Sequence, residues 1–173
     1  KKLTMKQDIF PAIRFTLATL VLLCVLYPLL VWGFAQFIAP AQGKAKLIYL
    51  NGKPVGGALI GQSFSEDHYF WGRPSAVDYN AAGSAGSNKG PSNPQYLALV
   101  QERIDSFLVH HPKVTKVEIP AELVTASGSG LDPDISPAAA KIQVARISIS
   151  RKIPADKLYQ LIEKYTQKPL LGH

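Results

Sequence analysis

Residues 124–146, VTASGSGLDPDISPAAAKIQVAR, gather the side chains and backbone best placed to do chemistry. Ser127, Gly128, Ser129 and Gly130 form a run of small residues. Successive N–H groups in such a run can converge on an anion or on a partner's carbonyl. The same glycines can instead let the chain reverse ahead of a helix, and that turn is the expected role. Asp132 and Asp134 can in principle act as a carboxylate pair, but Pro133 between them reads more simply as a turn. Arg73 stands beside Tyr69, Phe70 and Trp71, where a guanidinium can stack on a ring. These aromatics either dock a partner or, the expected case, plug the core under a long loop. His110 and His111 are adjacent, so on a helix they point about 100° apart and chelate a metal poorly. They are expected to be solvated at a helix end.

The usual catalytic signatures are missing. The sequence has no G-x-S-x-G elbow, no Walker-type loop ending in Lys-Ser or Lys-Thr, and no H-E-x-x-H. Nothing sets a nucleophile beside a base, and no Cys/His metal cluster is present. An independent enzyme is therefore not expected. A hydrolase using Ser129 or Asp132 is the competing reading, tested by alanine substitution at either.

The elements that must position these residues follow from pattern. Lys46 to Leu50 (KLIYL) and the run from Lys53 are joined by Asn51-Gly52, a strong hairpin signal because both residues tolerate positive φ. Pro54 and Gly56-Gly57 suit the second strand to an edge or a bulge. Residues 62–94 form a long irregular segment, rich in Gly, Ser, Asn, Ala and Pro in its second half. Segments of that length inside a compact domain are functional or mobile. Asn93-Pro94 starts a helix that ends near His110, with Leu97, Val100, Ile104, Phe107 and Leu108 as its apolar stripe. Residues 114–119 (VTKVEI) alternate and predict a strand. Ser136-Pro137 starts a second helix reaching about Ile149, with Ile142, Ala145 and Ile149 on its apolar side. Pro154 opens a third, with Leu158, Leu161, Ile162 and Tyr165. The fold class is α+β: one amino-terminal transmembrane helix, then one small mixed domain of two or three strands and three helices.

The span is residues 15–38, twenty-four residues without a charge. As a helix it is about 36 Å long, against a hydrocarbon core of about 30 Å. Its fourteen Leu, Val, Ile and Phe residues favour insertion by up to about 4–8 kcal/mol. Pro28, mid-span, is expected to kink it. A cleaved secretory signal is the rival, since Ala39-Pro40-Ala41 mimics a cleavage site. The apolar core is too long for that, and a retained anchor is expected. The organisation is thus a basic, cytoplasmic amino terminus (1–14), the span (15–38), a linker (39–45) and a domain (46–173). Four Lys/Arg and one acid precede the span, so positive-inside places the domain outside the cytoplasm.

The formal charge of +7 is therefore partly a topology signal. The remaining basic residues are scattered, without aromatic-basic interleaving, and nucleic-acid binding is not expected. Cys24, the one cysteine, lies within the span, so no disulfide can form within the chain. That suits a bacterial extracytoplasmic domain.

Four motifs carry a resemblance. GRPSAVDYN (72–80), SAGSNKGPSNP (84–94), LVTASGSGLDPDISPAAAKIQVARI (123–147) and ALIGQSF (58–64) together resemble the KdpC family, the C subunits of the bacterial Kdp potassium-transporting ATPase. The resemblance covers the chain from Arg14 to Leu171. It departs at Ala85, where relatives commonly have Gly. Relatives also continue past the last residue here into an apolar, strand-like segment.

The resemblance implies a non-catalytic subunit of a complex in the bacterial inner membrane. Its partners would be a channel-like potassium-translocating subunit, a P-type ATPase subunit and a small fourth subunit, together with the lipid bilayer. The family is described as raising the ATP affinity of the ATPase subunit, so no cofactor is expected on the chain alone and ATP only through that subunit. By resemblance, Ser127, Gly128, Ser129, Gly130 and Gln143 are candidate nucleotide or partner contacts. Tyr69, Phe70, Trp71, Arg73, Asn88 and Asp132 are candidate partner contacts. The charge argument opposes direct nucleotide contact, because a domain outside the cytoplasm cannot meet cytoplasmic ATP. A free-standing anchored binding module is the alternative.

Overall fold

A computed structural model describes residues 5–167, in two separate units. The first is one long helix. It runs as α1 (Met5–Val21), a π-helical turn (Leu22–Leu26) and α2 (Tyr27–Ile38). Asp8–Ile38 is long and apolar enough to cross a membrane. Pro28 has no N–H to offer the carbonyl four residues back, and its ring crowds that carbonyl. The helix accommodates this one turn earlier, where Tyr27 N–H donates to Leu22 O, five residues back. A widened turn thus lies just ahead of the proline expected to kink the helix.

The second unit opens with the hairpin, β1 (Leu47–Leu50) antiparallel to β2 (Lys53–Gly57). Asn51 and Gly52 both have positive φ, at 50° and 76°. This is the turn that matches the twist of paired strands. Leu50 faces Lys53 and Tyr49 faces Pro54, after which the register slips so that Ile48 faces Gly56. The bulge falls where Pro54 and the glycine pair predict it.

Three helices follow: α3 (Pro94–His110), α4 (Pro137–Arg151) and α5 (Ala155–Tyr165). The side chains of Asn93 and Ser136 accept from the N–H of Tyr96 and Ala139, capping α3 and α4 as their sequences predict. Lys152 closes α4 in the left-handed region. The predicted strand at 114–119 is absent. Lys116–Glu118 is a single 3-10 turn, and Glu118 reaches back to accept from the N–H and hydroxyl of Thr115. Val117 is 95% exposed, so the apparent alternation marked no buried face.

The core has two clusters. Ala140, Val144, Ile147, Leu158 and Ile162 join α4 to α5, while Phe107, Leu123 and Ala139 join α3 to α4. Ile135 packs against both. The buried face of α4 is rotated from the predicted one. Ile149 is 76% exposed and Ala145 is exposed, whereas Gln143 and Arg146 are buried. Reading only apolar residues misplaced the stripe, because two of the inward positions are polar. On α5, Leu158 and Ile162 are buried as predicted, but Leu161 and Tyr165 are exposed. On α3, only Phe107 is fully buried and Leu97 is exposed.

Candidate functional site

The irregular segment that begins at Gln62 needs an anchor, since it forms no strand or α-helix. Arg146 supplies one. Its Nε donates to His111 Nε2 at 3.0 Å. One terminal nitrogen donates to the carbonyls of Glu66 and Asp67, and the other to Tyr69 O and Gln143 Oε1. All five guanidinium N–H groups thus have partners. The same guanidinium lies over the Trp71 ring, 4.2 Å from its centroid. Burial lowers the pKa of Arg146, and the charge of Asp67 opposes that shift.

Gln143, one helical turn before Ile147, completes the clamp. It has no exposed surface. Its Oε1 accepts from Trp71 N–H at 2.8 Å, and its Nε2 donates to Trp71 O at 3.1 Å and Ala139 O at 3.0 Å. A glutamine amide facing a backbone in this way mimics a strand neighbour. The candidate nucleotide contact is therefore a buried, saturated core residue. Trp71 and Phe70 diverge from here, Trp71 against the α3–α4 cluster and Phe70 against the α4–α5 cluster. These two aromatics do plug the core under the loop. Tyr69 stays at the surface beside Phe64 and His68.

One of the two histidines differs from expectation. His111 is 4% exposed and stacks on Phe107 with ring centroids 3.8 Å apart. Its Nδ1 lies 2.8 Å from Phe107 O. With Nε2 accepting from Arg146, the proton belongs on Nδ1. Burial holds its pKa below the ordinary histidine value. His110 is exposed at the end of α3, as expected, 2.8 Å from Asp67 Oδ1.

The Gly/Ser loop grips the same segment further along. Ser127 N–H donates to Pro74 O at 3.1 Å, Ser75 Oγ to Gly130 O at 2.7 Å, and Ser84 Oγ to Ser129 O at 2.9 Å. Ser75 Oγ also accepts from the N–H groups of Val77 and Tyr79, and Tyr79 Oη donates to Arg73 O. Gly130 needs its glycine: φ is +68°, and an added Cβ would sit 2.6 Å from Val77 Cγ2. The loop is a clasp in which Ser127 and Gly130 are buried and Gly128 and Ser129 face outward.

Arg73 does not stack on an aromatic ring. It pairs with Asp132 at 3.0 Å, while Asp132 Oδ1 accepts from Asp134 N–H as an Asx turn does. The Arg73 Nε is enclosed and has no hydrogen-bond partner among the described residues. Tyr79 packs in the same corner, its pKa raised by burial and by Asp132 against the opposing charge of Arg73. Asn88 is exposed, with φ at 48°. An open groove of about 600 Å³ runs beside this corner, lined by Phe64, Trp71, Arg73, Tyr79, Arg103 and His110 among others.

The structure therefore brings Ser127, Gly130, Asp132 and Arg73 together through one segment, and places Gln143 in the core with Trp71. Sequence reasoning missed Ser75, Tyr79 and Arg146, and read the buried His111 as solvated. Spacing alone held one clue, since Gln143 and Arg146 lie three apart on a helix and so share a face.

A family model described as KdpC: K+-transporting ATPase, c chain, matches residues 9–173. The chain belongs to the KdpC family. Among the named relatives, the potassium-transporting ATPase KdpC subunit of Flavobacterium psychrophilum is 56% identical over 166 residues, 96% of this chain and 90% of the relative. That of Bacteroides fragilis is 49% identical over 168 residues, 96% and 88% of the two chains. That of Caldanaerobacter subterraneus is 44% identical, covering 97% and 87%. The clamp and the clasp are thus features of a KdpC subunit of a potassium-transporting ATPase.

Proposed function

We propose that the chain is a non-catalytic accessory subunit, which stabilises the assembled potassium-transporting ATPase and regulates its ATPase subunit. The observation that carries this reading is the use made of the polar residues. Arg73, Asp132, Ser127 and Gln143 are used to fix the 62–94 segment against the loop ahead of α4 and against α4 itself. None is paired as nucleophile and base. What remains at the surface includes Tyr69, Asn88, Gly128 and Ser129 and the groove beside Trp71 and Arg73, on a segment held by hydrogen bonds. A pre-organised face of this kind suits protein docking, because little conformational entropy is lost on binding.

In this reading the anchor packs beside helices of a channel-like subunit and a P-type ATPase subunit, with a small fourth subunit in the same complex. The domain lies outside the cytoplasm over the channel-like subunit, as the charge ahead of the span favours. Any effect on ATP affinity is then transmitted through the ATPase subunit, and Gly128 and Ser129 meet protein.

The test is purification of a tagged chain from native membranes in mild detergent. Two large membrane subunits and a small one are expected to elute with it in fixed proportion. Isolation of the chain alone, monomeric and stable, overturns the reading in favour of a free-standing module.

A further inference from the structure

The β1–β2 hairpin is apolar and uncovered. Leu47, Ile48, Tyr49 and Leu50 are 46, 50, 60 and 63% exposed. Side chains alternate along a strand, so Leu47 and Tyr49 stand on one face and Ile48 and Leu50 on the other. Both faces are thus largely open, with Ile48 and Val55 bordering a groove shared with Leu161 and Tyr165 of α5. Val55 on β2 and Leu59 in the following turn are exposed as well. A two-stranded ribbon is marginal by itself in water, and a contiguous apolar patch marks a contact surface.

Charge selects the contact. No Asp or Glu occurs from residue 9 to residue 65, whereas Lys44, Lys46 and Lys53 flank the hairpin. The charged residues that flank the apolar ribbon along the chain are all lysines, which complement anionic headgroups over hydrocarbon. Aliphatic side chains enter the acyl boundary, a tyrosine settles at headgroup level, and lysines snorkel to phosphate. Chain length adds continuity. Leu47 follows Ile38, the last residue of the long apolar helix, by nine positions. Fully extended, nine residues reach about 30 Å. A hairpin on so short a tether stays within range of the bilayer that holds the helix.

We infer that the hairpin is a membrane-docking element. Tyr49 and Leu50 seat in the interfacial layer of the bilayer, and Lys44, Lys46 and Lys53 contact anionic lipid phosphates. This gives the domain a second attachment to the bilayer besides its helix. The inference rests on the membrane anchor alone and not on the accessory role, so loss of the partner subunits on purification leaves it standing.

The test uses the full chain with Cys24→Ser and one nitroxide at Leu50→Cys. It is placed in nanodiscs of phosphatidylethanolamine with about a quarter phosphatidylglycerol. A second protein labelled at Val117→Cys, 95% exposed in the native residue, serves as the aqueous reference. The ratio of oxygen to nickel-chelate collision is expected to be about five-fold higher at 50 than at 117. Replacing the anionic lipid by phosphatidylcholine, or Lys53→Glu, is expected to lower it at 50 only. Equal ratios at 50 and 117 overturn the inference. A label at 50 that is aqueous in discs of the chain alone, and shielded only in the assembled complex, overturns it in favour of a partner subunit. Immersion indifferent to lipid charge and to Lys53→Glu removes the phosphate contacts.

Discussion

Arg146 and His111 form a buried pair in which the guanidinium Nε–H donates to a neutral imidazole at 3.0 Å. The remaining guanidinium donors hold backbone carbonyls at Glu66, Asp67 and Tyr69 and the Gln143 amide. Truncation would remove the donor of Asp67 O, Tyr69 O and the buried His111 Nε2, while Glu66 O keeps Trp71 Nε1–H and Gln143 Oε1 keeps Trp71 N–H. Arg146→Ala is therefore expected to lower stability by about 3 kcal/mol. Arg146→Lys should restore less than half, since an ammonium has three donors and no planar fork. Thermal unfolding of the full chain in detergent checks both.

The same pair predicts an acid limb. The pKa of His111 is lowered first by burial, then by the charges of Arg146 and His110, against the Phe107 carbonyl bond and Asp67. A depressed folded pKa means that the unfolded chain takes up the proton first as pH falls. The contribution is complete above the unfolded value near about 6.5 and is lost as pH drops towards the lower folded value. His111→Gln keeps an acceptor for Arg146 and cannot titrate. Its melting temperature should vary less with pH below about 6.5 than that of the wild type. Parallel curves for the two proteins would refute this.

Gln143→Leu keeps the volume but strands the N–H and C=O of Trp71. A loss of about 2 kcal/mol is expected. If Gln143 instead served a nucleotide, the fold would be unaffected and ATP affinity of the assembled complex would fall. Denaturant titration and a nucleotide-affinity measurement on one preparation separate the two.

Two neighbouring glycines should behave oppositely. Gly130→Ala forces a Cβ to 2.6 Å from Val77 Cγ2 and 2.8 Å from Ala85 O at positive φ, at an expected cost of about 1–3 kcal/mol. A Cβ at Gly128 meets nothing within 4 Å. Gly128→Ala should melt like the wild type, and a larger residue there should weaken recovery of the complex if this edge meets a partner.

Orientation is testable with Cys24→Ser and Val117→Cys. In intact cells an impermeant maleimide is expected to label residue 117, which places the domain outside the cytoplasm. Labelling only after lysis would reverse the charge argument and return nucleotide to the outward edge of the clasp.

Much of the scaffold was legible in the sequence, because its signals are local. Asn93-Pro94 and Ser136-Pro137 each place a capping side chain and a proline where a helix begins, and Asn51-Gly52 carries its turn within two residues. Residues 114–119 misled because alternation says nothing about what lies opposite, and a Glu three places after Thr115 favoured a tight turn. The burial of His111, Gln143 and Arg146 escaped notice for another reason. A polar residue is buried only when distant groups satisfy it. For Gln143 and Arg146 those groups are carbonyls of residues 66–71, some seventy to eighty positions earlier, and for His111 the distant partner is Arg146. No local pattern reports such a bond. The clasp was half visible: its glycines announced a turn, but not the segment held inside it.

The π turn at Leu22–Leu26 alters how the long helix presents itself to a neighbour. An α-helix advances about 100° per residue, and a π turn takes in one residue more than an α turn. The faces of α1 and α2 are therefore out of phase by about that angle relative to an unbroken α-helix. A seam of side chains does not continue at every seventh position across this point, but resumes one place later. A neighbouring helix that follows Leu17 and Leu20 down α1 would meet a different side of α2 from the one a helical wheel of the whole segment displays.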